Sequence, residues 1–247
     1  VAAAGAAGAI VAVDAVAGLK DCGLPLIAVP DTRLALGSLA AAWRARHALP
    51  LIAVTGSNGK TTTKDMIACI LQAAFGDAVL ATQGNLNNDI GLPLTLLKLR
   101  AHHQAAIVEM GMNHPGEIGY LTRIARPTVA LVTNAQRAHL EGMGSLEAVA
   151  REKGSIYDGL GSDGVAVVNA DDPQAGLWRS MNAGRRVVSF GLDAAADVHG
   201  TVRLHGLENE LQFTTPEGAG AADLALPGLH NARNALAAIA ATLAAGV

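Results

Sequence analysis

The sequence is poor in cysteine, in aromatic residues and in clustered charge, and each shortage removes a class of protein. Its 247 residues include two cysteines, Cys22 and Cys69, too few and too far apart to form a disulfide framework. A reducing, cytoplasmic setting is expected, and Cys69, within a helical pattern, reads as a buried thiol. Aromatic residues make up 3% of the chain against 51% hydrophobic residues. The core must therefore be built from alanine and aliphatic side chains. With a net charge of −3 and no basic block, nothing favours a nucleic-acid partner. The longest apolar run, Val1 to Val13, is rich in alanine and glycine, stops at Asp14 and is too short to span a bilayer. No basic segment or starting Met precedes it, so it does not read as a signal peptide, and no stable membrane insertion is expected. The missing Met and the alanine-rich helix running out to Val247 suggest a piece of a longer protein.

What is present is a regular alternation. From Leu51 onward, strands are expected at 51–55, 78–81, 105–109, 129–133, 164–169 and 186–190, and helices at 61–75, 115–125, 145–159 and 173–182. This pattern predicts an α/β fold, a mostly parallel sheet with helices on both faces. Residues 197–226 change character: Val198 to Leu204 and Leu211 to Thr215 read as a hairpin, Ala222 to Leu226 as another strand, and a last helix opens after Pro227-Gly228. Ahead of Leu51, Ala9 to Val13 and Leu26 to Val29 are strand candidates. Asp31-Thr32 caps a helix carrying Leu34, Leu36, Leu39 and Trp43. Residues 1–47 are expected to be the back part of a small α/β N-terminal domain, and residues 48–247 a central domain.

The chemistry gathers around Leu51 to Thr63. A buried strand runs into Gly56-Ser57-Asn58-Gly59-Lys60-Thr61-Thr62 and then a helix, the layout of a phosphate-binding loop. Glycines let backbone N–H groups approach phosphate oxygens, the helix N-terminus adds positive potential, and Lys60 supplies a point charge. Thr61 would place its hydroxyl on a magnesium ion shared with the phosphates. The stricter loop pattern has glycine six positions before the lysine, where Val54 stands here.

In open parallel sheets, ligands collect at the carboxyl ends of strands. Glu109 ends the run Ala105 to Val108, and Asn134 ends Val129 to Thr133, with His139 shortly after. A carboxylate beside a phosphate loop suits Mg²⁺, which takes oxygen ligands; a carboxylate capping a neighbouring loop, and an ordinary loop role for His139, remain alternatives. Lys153 falls on the apolar face formed by Leu146, Val149, Ala150, Ile156, Tyr157 and Leu160, where a lysine must snorkel, pair, lose its proton or be modified. Arg151, off that face, has Glu147 four residues before it and reads as a solvated pair. The polar stretch Thr82 to Pro93 carries Asn85, Asn87 and Asn88, which suit either a neutral polar ligand or capping of their own loop. Asn231 and Asn234 open the last helix, where amides can cap it or read a base edge.

Assembled in order, these residues resemble the Mur ligases. The matching stretches are Thr55 to Thr62, Gln83 to Pro93, Glu109 to Glu117, Thr133-Asn134 with His139 to Gly142, Lys153-Gly154, Asn169 to Pro173 and Pro227 to Leu236, nearly the whole chain. The asparagine loop and Glu109 to Glu117 favour the branch that adds D-alanyl-D-alanine to UDP-N-acetylmuramoyl-tripeptide. The resemblance implies an ATP-dependent, Mg²⁺-requiring ligase of peptidoglycan precursor synthesis, working in the cytoplasm as a monomer through an acyl phosphate. It implies that Thr55, Gly56, Ser57, Asn58, Gly59, Lys60, Thr61 and Thr62 hold the phosphates, and that Asn231 and Asn234 face the adenine. Thr61 and Glu109 would hold one Mg²⁺, His139 and a carbamylated Lys153 a second, with Lys60, His139 and Lys153 catalytic. Asn85, Asn87, Asn88 and Asn134 would face the substrate. The family's front segment and third domain have no counterpart in these residues, so ligation by this piece alone is not expected. Rival readings are a folylpolyglutamate synthetase-like ligase, a small-molecule kinase in which Glu109 and His139 position a hydroxyl, and an ATP-binding module.

Overall fold

Alternate residues of the strand Leu51–Thr55 face opposite sides of a sheet, Leu51 and Ala53 one way, Ile52 and Val54 the other, and all four are fully buried. Helices therefore cover both faces. The computed structural model describes residues 5–19, 22–136, 145–205 and 208–247. In chain order the elements are β1 (Ala9–Ala12), β2 (Leu26–Val29), α1 (Thr32–Arg44), β3 (Leu51–Thr55), α2 (Lys60–Phe75), β4 (Val79–Ala81), α3 (Gly91–Leu96), β5 (Ala105–Glu109), α4 (Glu117–Ala125), β6 (Val129–Val132), α5 (Leu146–Gly154), β7 (Val165–Asn169), α6 (Ala175–Met181), β8 (Arg186–Gly191), β9 (Val198–His205), β10 (Glu208–Thr215), β11 (Gly218–Leu224) and α7 (Leu229–Ala244).

The main sheet has the order β11-β10-β9-β8-β7-β6-β3-β5-β4. Pairing from β4 through to β9 is parallel, and β9, β10 and β11 continue it as an antiparallel extension. After β3 the chain goes outward to β4, returns to β5 beside β3, then crosses to β6 on the other side. That reversal opens a crevice at the carboxyl ends of β5, β3 and β6, the place where such sheets take ligands.

One face of the sheet packs on α2 and α7 through Ile67, Leu71, Ala232, Ala235 and Leu236; the other packs on α1, α3, α4, α5 and α6 through Ala40, Leu92, Leu96, Ile118, Leu121, Val149 and Trp178. Alanines along α7 let that helix lie close against α2, which is how a chain poor in aromatics fills its core. Trp178 is the main exception. It is fully buried, and its indole N–H donates to the Ala150 carbonyl at 3.0 Å.

Helix α1 begins as expected, Asp31 Oδ1 accepting from the N–H groups of Arg33 and Leu34 at 2.7 and 3.0 Å. It packs on α3 and α4, where a Cβ on Gly37 would meet the Tyr120 hydroxyl. The buried Arg44 donates to the carbonyls of Ala125, Leu49 and Arg126, at 3.0, 3.3 and 3.4 Å, and to that of His47. Strands β1 and β2 form their own parallel pair.

Three expectations change. The helix expected over 145–159 is α-helical only to Gly154 and finishes as a 3₁₀ turn, Ser155–Gly159, starting beside the point where Met181 and Trp178 leave no room for a side chain on Gly154. Cys69 is exposed rather than buried, since the buried face of α2 is Thr63, Lys64, Ile67, Ala68 and Leu71 and the next residue turns outward. The strand expected to reach Leu226 ends at Leu224. Both cysteines are free, and Arg151 pairs with Glu147 at 2.8 Å on the surface. Among the described residues no helix is long and apolar enough to cross a membrane.

Candidate active site at the carboxyl ends of the strands

The phosphate loop is folded by close approach. Gly56 has φ 155° and Gly59 φ 77°, and a Cβ on Gly56 would stand 1.8 Å from Thr133 Oγ1, one on Gly59 2.4 Å from Asn234 Oδ1. Only glycine tolerates both the conformation and the neighbours. The segment after β6 holds the loop from the other side. The Thr133 hydroxyl and the Asn134 amide donate to the Asn58 carbonyl at 2.7 and 3.0 Å, and Asn134 Oδ1 accepts from the Asn58 N–H at 3.0 Å. Ser57 and Asn58 also bond to Gln136. Asn134 thus braces the phosphate loop with both halves of its amide.

Lys60, first residue of α2, donates to the carbonyls of Gly56 and Ser57 at 2.9 and 3.4 Å, folded over the loop it serves. Burial lowers its pKa, and the Glu109 carboxylate partly offsets this. Glu109, at the end of β5, is 2% exposed. One of its oxygens accepts from the Thr61 hydroxyl at 2.9 Å and the other from Asn87 Nδ2 at 2.7 Å. The structure therefore brings together Lys60, Thr61, Asn87 and Glu109, from three separate stretches. Oxygen donors of this kind, around a carboxylate with little water access, fit a hard cation such as Mg²⁺. Among the described residues no group of three or more His, Cys, Asp or Glu side chains converges, so such an ion would have to share its shell with phosphates and water.

The three asparagines divide. Asn88 Oδ1 accepts from the N–H groups of Ile90 and Gly91 at 3.2 and 2.8 Å, capping the turn into α3. Asn87 turns to Glu109, and Asn85 is exposed. Thr55 lies buried, bonded to the Met110 carbonyl at 2.8 Å, and Thr62 is half-buried on α2. Lys153 is 2% exposed. Its pKa is pushed down to about 8, first by burial and then by the charge of Lys60, with Glu152 acting the other way. His139 lies outside the described residues.

Beside the phosphate loop a cleft of about 780 Å³ is lined by Asn58, Gly59, Asn134, Asp171, Asp172, Phe190, His230, Arg233 and Asn234, among others. Asn234 and Asn231 are both buried and bond to each other at 3.3 Å, and Asn231 also donates to the Pro227 carbonyl at 2.8 Å. The sequence reading gave no role to the residues after β7. Asn169 donates to the Thr133 carbonyl at 2.7 Å, and Asp172 accepts from the N–H groups of Ala135 and Gln174 at 2.9 and 2.8 Å. Burial raises the Asp172 pKa, and those two bonds act against the rise. Their position at a strand's carboxyl end, the same signal that picked out Glu109, marks them.

A family model described as the Mur ligase middle domain matches residues 54–242. The UDP-N-acetylmuramoyl-tripeptide–D-alanyl-D-alanine ligase of Escherichia coli (strain K12) is 44% identical over 228 residues, which are 92% of this chain and 50% of that protein. Among solved structures, MurF from Acinetobacter baumannii superposes with a TM-score of 0.87 at 42% identity, covering 92% of this chain and 50% of that one. MurF ligase from Thermotoga maritima, solved in complex with ADP, gives a TM-score of 0.75 at 27% identity over 87% of this chain and 49% of that one. The chain spans about half the length of the relatives it matches. On the family model's match to most of its length, the chain belongs to the Mur ligase family and carries that family's middle domain.

Proposed function

We propose that this chain is the ATP-binding part of a cytoplasmic enzyme that joins D-alanyl-D-alanine to UDP-N-acetylmuramoyl-tripeptide. The names of the relatives support the substrates. The single observation that carries the chemistry is Glu109, buried at the end of β5 and held by Thr61 and Asn87 beside Lys60. In this reading residues 1–47 belong to a preceding domain that docks through α1, and the enzyme acts as a monomer.

In the reaction a carboxylate oxygen of the tripeptide attacks the γ-phosphorus of ATP and ADP leaves. The amine of D-alanyl-D-alanine then attacks the acyl carbon, loses a proton, and inorganic phosphate departs. The protein's task is positioning and charge neutralisation. Residues 56–62 cradle the phosphates by backbone N–H groups and the α2 N-terminus, with Lys60 leaving its carbonyl partners to meet them. Bound Mg²⁺ would neutralise phosphate charge, and Thr61 and Glu109 would hold it. The cleft past Gly59 has two carboxylates, Asp171 and Asp172, against the one guanidinium of Arg233. That balance repels phosphate and orients the nucleotide with its sugar and base there, beside Asn231 and Asn234. Asn85 and Asn87 border the substrate side, Asn88 acts by shaping that loop, and Asn134 acts by bracing the phosphate loop. Lys153, buried and with its pKa lowered by burial and by the charge of Lys60, fits modification: its neutral amine adds to CO₂, releasing a proton and giving a carbamate that would bind a second cation with His139.

Full-length protein should release phosphate from ATP only when UDP-N-acetylmuramoyl-tripeptide and D-alanyl-D-alanine are both present. Release with the tripeptide replaced by a folate, or with either substrate omitted, overturns the assignment.

A further inference from the structure

Asp171 brings more than its charge to the cleft: it is among the most heavily bonded side chains there. Its carboxylate is only 6% exposed. It accepts from the backbone N–H groups of Leu192, Asp193 and Ala194 at 2.8, 3.0 and 2.8 Å, and from Arg233 Nε at 3.0 Å. Three consecutive N–H groups turned to one anion form a nest, a preference of the backbone that a carboxylate satisfies from within the chain here. Gly191 makes room for it, because a Cβ there would stand 2.6 Å from Asp171 Oδ1. Arg233 completes the arrangement from α7, reaching Asp193 through Nη2 at 2.5 Å.

The consequence lies in what Arg233 is attached to. It is next to Asn234, whose side chain covers Gly59 of the phosphate loop, and two residues from Asn231. The segment after β7, the segment after β8 and the first turns of α7 are thus joined at one buried carboxylate. The rest of the cleft wall is tied differently, through Asn169 and Asp172 to the segment after β6. The guanidinium, drawn to Asp171 and Asp193, is unavailable to phosphate. Its fork spans both carboxylates at once, which a lysine could not reproduce.

We propose that Asp171, Arg233 and Asp193 form a clasp that positions the start of α7, and with it Asn231 and Asn234, for the base and sugar of the nucleotide, without acting on the phosphates. These are positioning residues, not catalytic ones, and the proposal rests on the nucleotide reading above. It predicts a split between ligands. In Asp171→Asn and in Arg233→Met, affinity for ADP is expected to fall about tenfold, the usual scale for losing a charge-assisted bond in a partly buried site. Affinity for inorganic tripolyphosphate, which has no base or sugar, is expected to stay within twofold of the unaltered chain, about the precision of such a comparison. Arg233→Lys is expected to recover only part of the loss.

The measurement is calorimetric titration of the 247-residue chain and its variants with ADP and with tripolyphosphate, in Mg²⁺, with thermal unfolding followed in parallel. The unaltered chain and Lys60→Ala test the underlying reading by themselves: binding of both ligands by the first and weakening of both in the second establish the nucleotide site independently of the clasp. Because Arg233 is about one-third exposed, its variants test the clasp even where Asp171→Asn unfolds. Unchanged ADP affinity in the folded Arg233→Met variant overturns the proposal. So does a parallel loss for tripolyphosphate, which would make the clasp a support of the whole fold. In a double-mutant cycle, the combined Asp171→Asn/Arg233→Met variant is expected to lose less than the sum of its parts, and full additivity counts against the clasp.

Discussion

Replacing Gly56 by alanine tests the phosphate loop at its tightest point. The new Cβ would lie 1.8 Å from Thr133 Oγ1 and 3.1 Å from Thr133 Cβ, so the hydroxyl must leave its place. That hydroxyl donates to the Asn58 carbonyl at 2.7 Å. Losing the bond costs about 1 kcal/mol, and a non-glycine residue at positive φ about 1–2 kcal/mol more. A total of roughly 2–3 kcal/mol falls on the folded state, in a chain whose whole stability is of order 5–15 kcal/mol. Urea unfolding monitored by circular dichroism reads this as a lower midpoint at constant slope. The steric part has its own control. In Gly56→Ala/Thr133→Ala the clashing oxygen is gone and the nearest atom is the Cβ at 3.1 Å. If the hydroxyl clash is real, the added Thr133→Ala change costs less in the alanine background than alone. A Gly56→Ala chain as stable as the original, binding ADP equally well, would refute the argument.

Lys60→Ala is expected to weaken ADP and tripolyphosphate binding tenfold to a hundredfold, from a charge-assisted contact of about 1.5–3 kcal/mol; unchanged affinity by calorimetry would remove Lys60 from the phosphate site. Thr63 is fully buried with no partner for its hydroxyl among the described residues, so Thr63→Val is expected to leave unfolding free energy unchanged or raise it by up to about 1 kcal/mol in urea melts, and a clear loss would mean the hydroxyl is bonded. The backbone bonds and Arg233 hold the Asp171 pKa below its ordinary value against burial, which acts the other way. The stability it contributes is thus present above its unfolded pKa near 3.8 and lost as pH falls through the lower folded one. Melts of Asp171→Asn and the original chain are expected to differ at neutral pH and converge in acid. In the full-length enzyme, Lys153→Ala is expected to lose activity and regain part of it with added short carboxylates; full activity without them would leave Lys153 a packing residue.

The alternation of apolar runs and helical periodicity was enough to read the sheet and its helices, with strand ends within one residue across the parallel part. Strands buried on both faces are uninterrupted in Val, Ile, Leu and Ala, so their boundaries coincide with the first polar residue, as at Thr55 and Glu109. Where periodicity carried less information, reading was weaker. Nothing local distinguishes the α-helical from the 3₁₀ part of 146–159, and the neighbours packed at Gly154, where the change falls, come from α6. Cys69 shows the same limit. One residue separates it from the buried Ala68, and a helix of mixed small residues does not announce which side of that step faces solvent.

Within the site, legibility followed what a side chain is for. Lys60, Thr61 and Glu109 stand out because their chemistry is costly to bury unless it serves something, and their spacing from strand ends shows where they must lie. Residues that brace other residues give no such signal. Asn134 reads as a ligand-facing amide, yet in the structure its donor and acceptor both engage Asn58. Asp171 reads as one of two adjacent acids, while its partners stand 21, 22, 23 and 62 residues away. An amide or a carboxylate has the same appearance in sequence whether it will meet a ligand or the chain's own N–H groups. Only the fold decides, by bringing one or the other within 3 Å. The distinction also changes what a substitution means: in the proposed function a change at Lys60 alters the charge a phosphate meets, whereas one at Asn134 or Asp171 alters where the loops that meet the nucleotide are held.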